Sequence, residues 1–322
     1  MDTSNRYNRS IMLLSGVAGV LVLIYAGTLI FDPEQMNARK GSFRLLEPAW
    51  AEQADRIELS SSGAEEKVIL IQKDKVWFVS RDNTEYPAKQ LRIEDFLTML
   101  SAKGNYPVRG TAAASHERLG LTADTASRIV IRGGPATYPL LDVLLGKEDS
   151  TGQEIYLRKN GETEVRSVED RLSSYVDSPQ TSWFDLRLFP KERRPELTIK
   201  SVQRVTVNAP SSEPFVLTRH EGSWTITGAA GINIDNQQVE SYIRAVLEAE
   251  AEDFFASQDP QPPHEGQILL ELGTGQTLAV KVSPVLGSNQ RGAEVEGSPY
   301  RYVLAEWTLT RLFRDSSYFE RQ

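Results

Sequence analysis

The residues with most chemistry to offer are three histidines, a glycine-lysine pair and a run of acids. His264 and Glu265 begin the His-Glu-x-x-His pattern, in which two histidines one helical turn apart bind zinc and the glutamate acts as base. The fifth position is Ile268, so the second ligand is missing. His116, His220 and His264 lie in the polar stretches ASHERLG, TRHEGS and PPHEGQ and read as solvated loop residues. Gly146-Lys147 would suit a phosphate loop only with a glycine five positions earlier and a Ser or Thr next; Leu141 and Glu148 stand there. Gly273 and Gly275 of LGTGQT lack the third glycine of a dinucleotide fingerprint. The chain has no cysteine, which removes thiolate catalysis, disulfides and Cys-based zinc sites. Gly-x-Ser-x-Gly, Ser-x-x-Lys and EF-hand patterns are also missing. The sequence therefore points to no catalytic residue, no metal and no cofactor. The acids Glu248, Glu250, Glu252 and Asp253, followed by Phe254 and Phe255, read as a solvated helix end or as an edge that docks a partner.

The elements that would carry these residues begin with an anchor. Ser10 to Phe31, SIMLLSGVAGVLVLIYAGTLIF, is free of charge, and about 20 apolar residues in a helix cross the hydrocarbon core of about 30 Å. The run is longer than the apolar region of a cleaved signal peptide and lacks a good small-x-small site. Arg6 and Arg9 precede it while Asp32 and Glu34 come after, which favours the N-terminus inside; Arg39, Lys40 and Arg44 pull the other way, but long domains translocate regardless of charge. The expectation is a single-pass protein of the bacterial inner membrane, with the bulk of the chain periplasmic or extracytoplasmic. The whole chain carries a net charge of −8, and the chain beyond residue 10 carries −9, because Asp2, Arg6 and Arg9 leave the first ten residues at +1. An acidic ectodomain excludes nucleic acid as the natural partner.

The remaining sequence is written twice. KVWFVSRDNTEYPAKQLRIEDFLTML (75–100) is echoed by GSWTITGAAGINIDNQQVESYIRAVL (222–247), and each is preceded by two alternating, strand-like runs with Arg56 or Arg204 in the first. Ile93, Phe96, Leu97 and Leu100 mark an apolar helix face, as do Val239, Ile243, Val246 and Leu247. Trp77 and Trp224, on alternating strands, read as core residues. Further strands continue through LLGKED and VLGSNQ, and each copy closes on an aromatic-acidic tail, with Trp183, Phe184 and Asp185 answering Tyr318, Phe319 and Glu320. The expected fold is α+β: a cytoplasmic tip and transmembrane helix (1–31), a stalk (32–46), a first repeat unit (47–190), a proline-flanked linker (191–197) and a second repeat unit (198–322), each repeat an antiparallel sheet with packed helices.

YPAKQLRIEDFLTML after a tryptophan strand, HERLGLTADTASRIVI, LLGKEDSTGQEIYLR with Gly152 and Tyr156, and WFDLRLF resemble the bacterial domain-of-unknown-function family 4340. The resemblance implies a membrane-anchored, extracytoplasmic protein beside ABC-2 type transport systems of the gliding-motility kind, and it supplies no catalytic residues.

The expected function is accordingly a non-enzymatic accessory or scaffold subunit whose partners are the bilayer and an ABC transporter permease or related membrane protein. Candidate interaction residues are Gly16 and Gly19 in the span, where small residues allow close helix contact, and Trp183, Phe184, Tyr318 and Phe319 in the tails. The tail aromatics could equally plug the core of each unit. Two other classes stay open: an envelope hydrolase or glycan-processing enzyme with two carboxylates about 5–10 Å apart in a concave site, and an envelope solute-binding protein with an apolar pocket.

Overall fold

A computed structural model describes residues 42–135, 137–210, 212–229, 231–255, 263–286 and 289–321. The expected membrane span, with Gly16 and Gly19, and most of the stalk lie outside the described residues; among those described, no helix is long and apolar enough to cross a membrane.

The described chain is mostly antiparallel sheet with a few helices. One sheet has nine strands in the order β5 (Thr84–Pro87), β4 (Val76–Arg81), β3 (Lys67–Lys73), β2 (Ala54–Ser60), β8 (Ser127–Gly133), β9 (Leu141–Glu148), β10 (Glu154–Lys159), β11 (Val165–Glu169) and β7 (Val108–Gly110). The other has eight, in the order β14 (Ser223–Thr227), β13 (Phe215–His220), β12 (Val202–Asn208), β16 (Gly266–Leu272), β17 (Thr277–Val285), β18 (Arg291–Val295), β19 (Arg301–Leu304) and β15 (Asp253–Phe254). Without β5 the two orders are the same topology, strand for strand. The short strands β1 (Ser42–Phe43) and β6 (Gly104–Asn105) pair separately. By compactness the chain divides differently: one unit takes the residues up to Lys67 with Glu94–Ser178, the other Val68–Ile93 with Pro179–Gln322.

Alternation explains the strands. In β2, Ile57 and Leu59 are buried while Arg56 and Glu58 pair on the other face at 2.8 Å; in β12, Val205 and Val207 take the same inward positions. Two-residue turns, Asp74-Lys75 and Glu221-Gly222, close the β3–β4 and β13–β14 hairpins with positive φ at both positions, the geometry that matches strand twist. Trp77 and Trp224 lie just beyond these turns and are buried, as their alternation predicts.

Each tryptophan strand is tied to a helix by the same device. The Trp77 N–H donates to Gln90 Oε1 at 2.9 Å, and the Trp224 N–H donates to Asn236 Oδ1 at 2.7 Å. Gln90 and Asn236 open the two twelve-residue helices, Gln90–Ser101 and Asn236–Leu247. The first buries Ile93, Phe96 and Leu100, leaving Leu97 half-buried; the second buries Val239, Tyr242, Ile243, Val246 and Leu247. Just before each helix, the Lys89 N–H donates to Trp183 O and the Asp235 N–H to Phe319 O, both at 2.8 Å. The closing 3-10 turns are Gln180–Trp183 and Ser316–Phe319. The bridges Ala88–Phe184 and Ile234–Glu320 fix the register of the two tails. Trp183 therefore answers Phe319, and Phe184 answers Glu320, one residue from the pairing read off the sequence.

Gln90 also donates to Trp77 O at 2.9 Å and Ala88 O at 2.8 Å, whereas Asn236 is one methylene shorter and holds the Trp224 N–H. At about 1 kcal/mol per bond, Gln90→Ala should cost about 2–3 kcal/mol of unfolding free energy and Asn236→Ala about 1 kcal/mol. Urea denaturation checks the order; equal losses would contradict the reading.

Candidate functional site

Superposing the registers of the two sheets shows where the copies part. Ile57 pairs with Ile131, and Val205 with Leu270; Ile129 pairs with Val143, and Ile268 with Val280. Both copies carry a bulge in the next pairing, after Leu145–Leu157 in one and Val282–Ala293 in the other. Leu144 thus corresponds to Lys281, Gly146 to Ser283, Arg158 to Glu294 and Val165 to Arg301. The structural counterpart of Gly146-Lys147 is Ser283-Pro284 rather than the Leu-Gly of VLGSNQ.

In the first copy the outer face is filled by its own chain. Arg128 clasps Asp142 with two bonds, 2.8 and 2.6 Å, and Asn160 adds a third at 2.8 Å. Beside them Leu121 and Ala126, aided by Leu119, pack on Leu144, Val165 and Tyr156. Gly146 permits that approach, since a Cβ there would stand 2.2 Å from Leu119 O, and the Lys147 N–H donates to the same carbonyl at 2.9 Å. Burial alone would raise the pKa of Asp142, but the bonds from Arg128 and Asn160 outweigh it and hold the carboxyl below its ordinary range.

In the second copy the described strand positions that answer these fillers hold other residues. Gln267, Ala279 and Glu296 stand where Arg128, Asp142 and Asn160 stand in the first, and the backbone agrees: Glu296 N–H donates to Ala279 O at 2.8 Å as Asn160 N–H does to Asp142 O at 2.9 Å. The ion pair is gone and its volume is open. What remains is a groove of about 600 Å³, floored by Gln267, Leu269, Ala279 and Lys281 and walled by Glu294, Glu296 and Tyr300. The apolar pair Leu144 and Val165 has become Lys281 and Arg301, with Glu294 between them in the strand register. His264 Nε2 lies 3.2 Å from Glu294 Oε2. The face offers both signs of charge around a small apolar strip, suited to an extended polar ligand or a protein edge.

The Tyr300 wall is fixed from below. Its ring lies 5.7 Å from Tyr86 and 5.5 Å from Phe254, which stack on each other at 4.8 Å. Arg81 holds this group together: it bonds Asp253 Oδ1 and Phe254 O, both at 2.7 Å, and lies over Tyr86 and Phe184 at 4.9 and 4.8 Å. All these residues belong to the compact unit of 68–93 and 179–322. The acid-rich segment after Val246 divides: Glu248, the C-cap of the second long helix, Glu250 and Glu252 are exposed, whereas Asp253–Phe254 forms the edge strand β15 on β19, with Phe254 2 % exposed.

The tail residues singled out in the sequence divide by exposure. Trp183, Phe184 and Phe319 are each fully buried, with Phe319 against Phe215 and Tyr242, so they fill the interior. Tyr318 is 37 % exposed. Among the described residues no cluster of three or more histidines and acids is arranged for a metal ion. The carboxyls of Asp142, Asp149, Glu154 and Glu192 are all held below their usual range, by bonds from arginine, hydroxyl or backbone N–H groups; none of the four is an acid kept protonated. Arg81, Lys281, Glu294, Tyr300 and Arg301 were not singled out in the sequence. The signal for the last four is the difference between copies, which becomes legible only in the correct register.

Arg81→Ala should cost about 2 kcal/mol, a broken charge pair discounted for its partial exposure plus the lost ring contacts, and Arg81→Lys should recover only part, because lysine lacks the fork. Thermal melts check this. For Asp142 the folded pKa lies below the unfolded value of about 3.9, so its contribution is full above that pH and is lost as pH falls through the folded pKa. Arg128→Ala should flatten the acid limb of a stability profile below about pH 4; an unchanged limb would contradict the ion pair's part in it.

Comparison with curated proteins and with solved structures finds no match. A family model described as a domain of unknown function (DUF4340) matches residues 77–267, from the tryptophan of β4 to the start of β16, more than half of the chain. The chain belongs to the DUF4340 family.

Proposed function

We propose that this protein is a membrane-anchored, extracytoplasmic accessory subunit, not an enzyme, that binds a partner across the outer face of its second sheet beside an ABC-2 type transporter. The observation that carries the reading is the exchange of filler for charge between the copies: Arg128, Asp142, Leu144 and Val165 in one, Gln267, Ala279, Lys281 and Arg301 in the other. The inner faces keep their apolar residues in both, so the difference falls where a partner would touch. The charge-free run Ser10–Phe31 supports the anchor, and the transporter is inferred from the family resemblance.

A second reading is favoured by one feature. Glu294 and Glu296 both line the groove, and a pair of carboxylates in a concave site is what glycoside hydrolysis uses. This would make the protein an envelope glycan hydrolase.

Mild-detergent isolation of the full-length protein from its native membrane, with mass spectrometry of the proteins that accompany it, tests both. Permease and ATPase subunits should be recovered with the native chain, several-fold less with Lys281→Glu and Arg301→Glu combined, and not with a chain lacking residues 1–31. Recovery unaffected by Glu294→Gln fits an adaptor. Absence of transporter subunits in every sample, with glycan cleavage lost on Glu294→Gln, would replace it by the hydrolase.

A further inference from the structure

Resting on the anchor reading, we infer that a basic-aromatic cleft at the start of the described chain is a docking surface for anionic phospholipid headgroups. The cleft, of about 500 Å³, is lined by Phe43, Arg44, Glu47, Trp50, Lys103 and Lys159 among others. All belong to the compact unit that ends at Ser178.

Its construction sets it apart from a core. Strand β1 pairs with β6 through Phe43 and Gly104, which brings the Phe43 ring under Lys159 at 4.8 Å and Arg166 at 4.5 Å and edge-on to Tyr106 at 5.6 Å. The next residues turn inward, with Leu45 and Leu46 buried and the Leu46 N–H bonded to Leu100 O at 3.0 Å. The chain then emerges as the one-turn helix Pro48–Ala51, which buries none of its residues and leaves Trp50 44 % exposed. A part-exposed tryptophan stands beside lysines here. It is the pairing enriched at membrane-water interfaces, where the indole sits at headgroup depth and the cations meet phosphate.

Two further facts choose lipid as the occupant. The first is reach: ten residues separate Phe31, where the apolar run ends, from Ser42, and a fully extended link of that length spans at most about 36 Å. The cleft is therefore held within one link of the bilayer surface. The second is charge. The chain beyond residue 10 carries −9 in total, which an anionic leaflet repels, yet here Arg44, Lys103 and Lys159 meet one acid, Glu47, itself 3.9 Å from Arg44. Arg39 and Lys40 immediately precede this stretch in the sequence. A basic patch within a Debye length of an anionic surface is attracted to it and would turn the ectodomain to face the membrane in one orientation.

The absence of cysteine makes the test direct. Glu52→Cys in the full chain, labelled with a fluorophore, is reconstituted in nanodiscs of phosphatidylcholine alone or with one quarter phosphatidylglycerol, each holding a headgroup-attached quencher. Quenching should be several-fold greater in the anionic discs, should fall in 0.5 M salt, and should fall on Lys103→Glu with the melting temperature unchanged. Equal quenching in both lipids, or quenching indifferent to Lys103→Glu, would overturn the assignment. Failure of the chain to enter the discs would sink the anchor reading separately; the same label read against anionic and neutral vesicles added from outside then decides the cleft.

Discussion

A side-chain amide at the first turn of each long helix holds the backbone of the tryptophan strand, and the rest of each copy is arranged around that tie. Strand β14 is the edge of its sheet, and in the first copy β5 pairs with β4 only as far as Phe78–Pro87, so the backbone at each tryptophan needs a further partner or water. Gln90 and Asn236 satisfy the Trp77 and Trp224 N–H groups from helices that also cover apolar side chains. The tails then return to the residue before each helix, Trp183 to Lys89 and Phe319 to Asp235. Strand, helix start and tail are thus locked at one place, twice.

With the inner layer fixed in this way, the outer face is free to differ. Alternation along a strand separates the two faces completely, so Leu144→Lys281 or Asp142→Ala279 in a duplicated gene leaves Val143 and Val280 undisturbed in their registers with Ile129 and Ile268. The first copy uses the freedom to bury its own segment around Leu121. The second uses it to open a charged groove, with a wall pinned through Tyr300, Phe254 and Arg81. A partly exposed ion pair such as Arg128 with Asp142 adds little net stability, which makes its loss in the other copy tolerable.

Much of the fold was legible in the sequence, because period and turn chemistry are local. The Trp77 and Trp224 strands, the two helices with their apolar faces and the duplicated order of elements can be read from spacing alone. The correct pairing of copies was not legible, because the offset between equivalents shrinks from 148 at Ile57 and Val205 to 136 at Leu157 and Ala293. The tails, matched by residue type as Trp183 with Tyr318, miss the true pairing of Trp183 with Phe319 by one residue, and the changing offset hides the exchange of Leu144 for Lys281. Arg81 was invisible for another reason: its partners Asp253 and Phe254 are far along the chain, and nothing local marks it.

The proposed partner seat is the outer face of the second sheet. A photo-crosslinking residue placed at Leu269, in the floor of the groove, and activated in the native membrane tests it most directly. A discrete adduct with a membrane-protein partner is expected, lost when Lys281→Glu and Arg301→Glu are introduced. An uncrosslinked chain at position 269, alongside transporter subunits still recovered with the native protein, would contradict it.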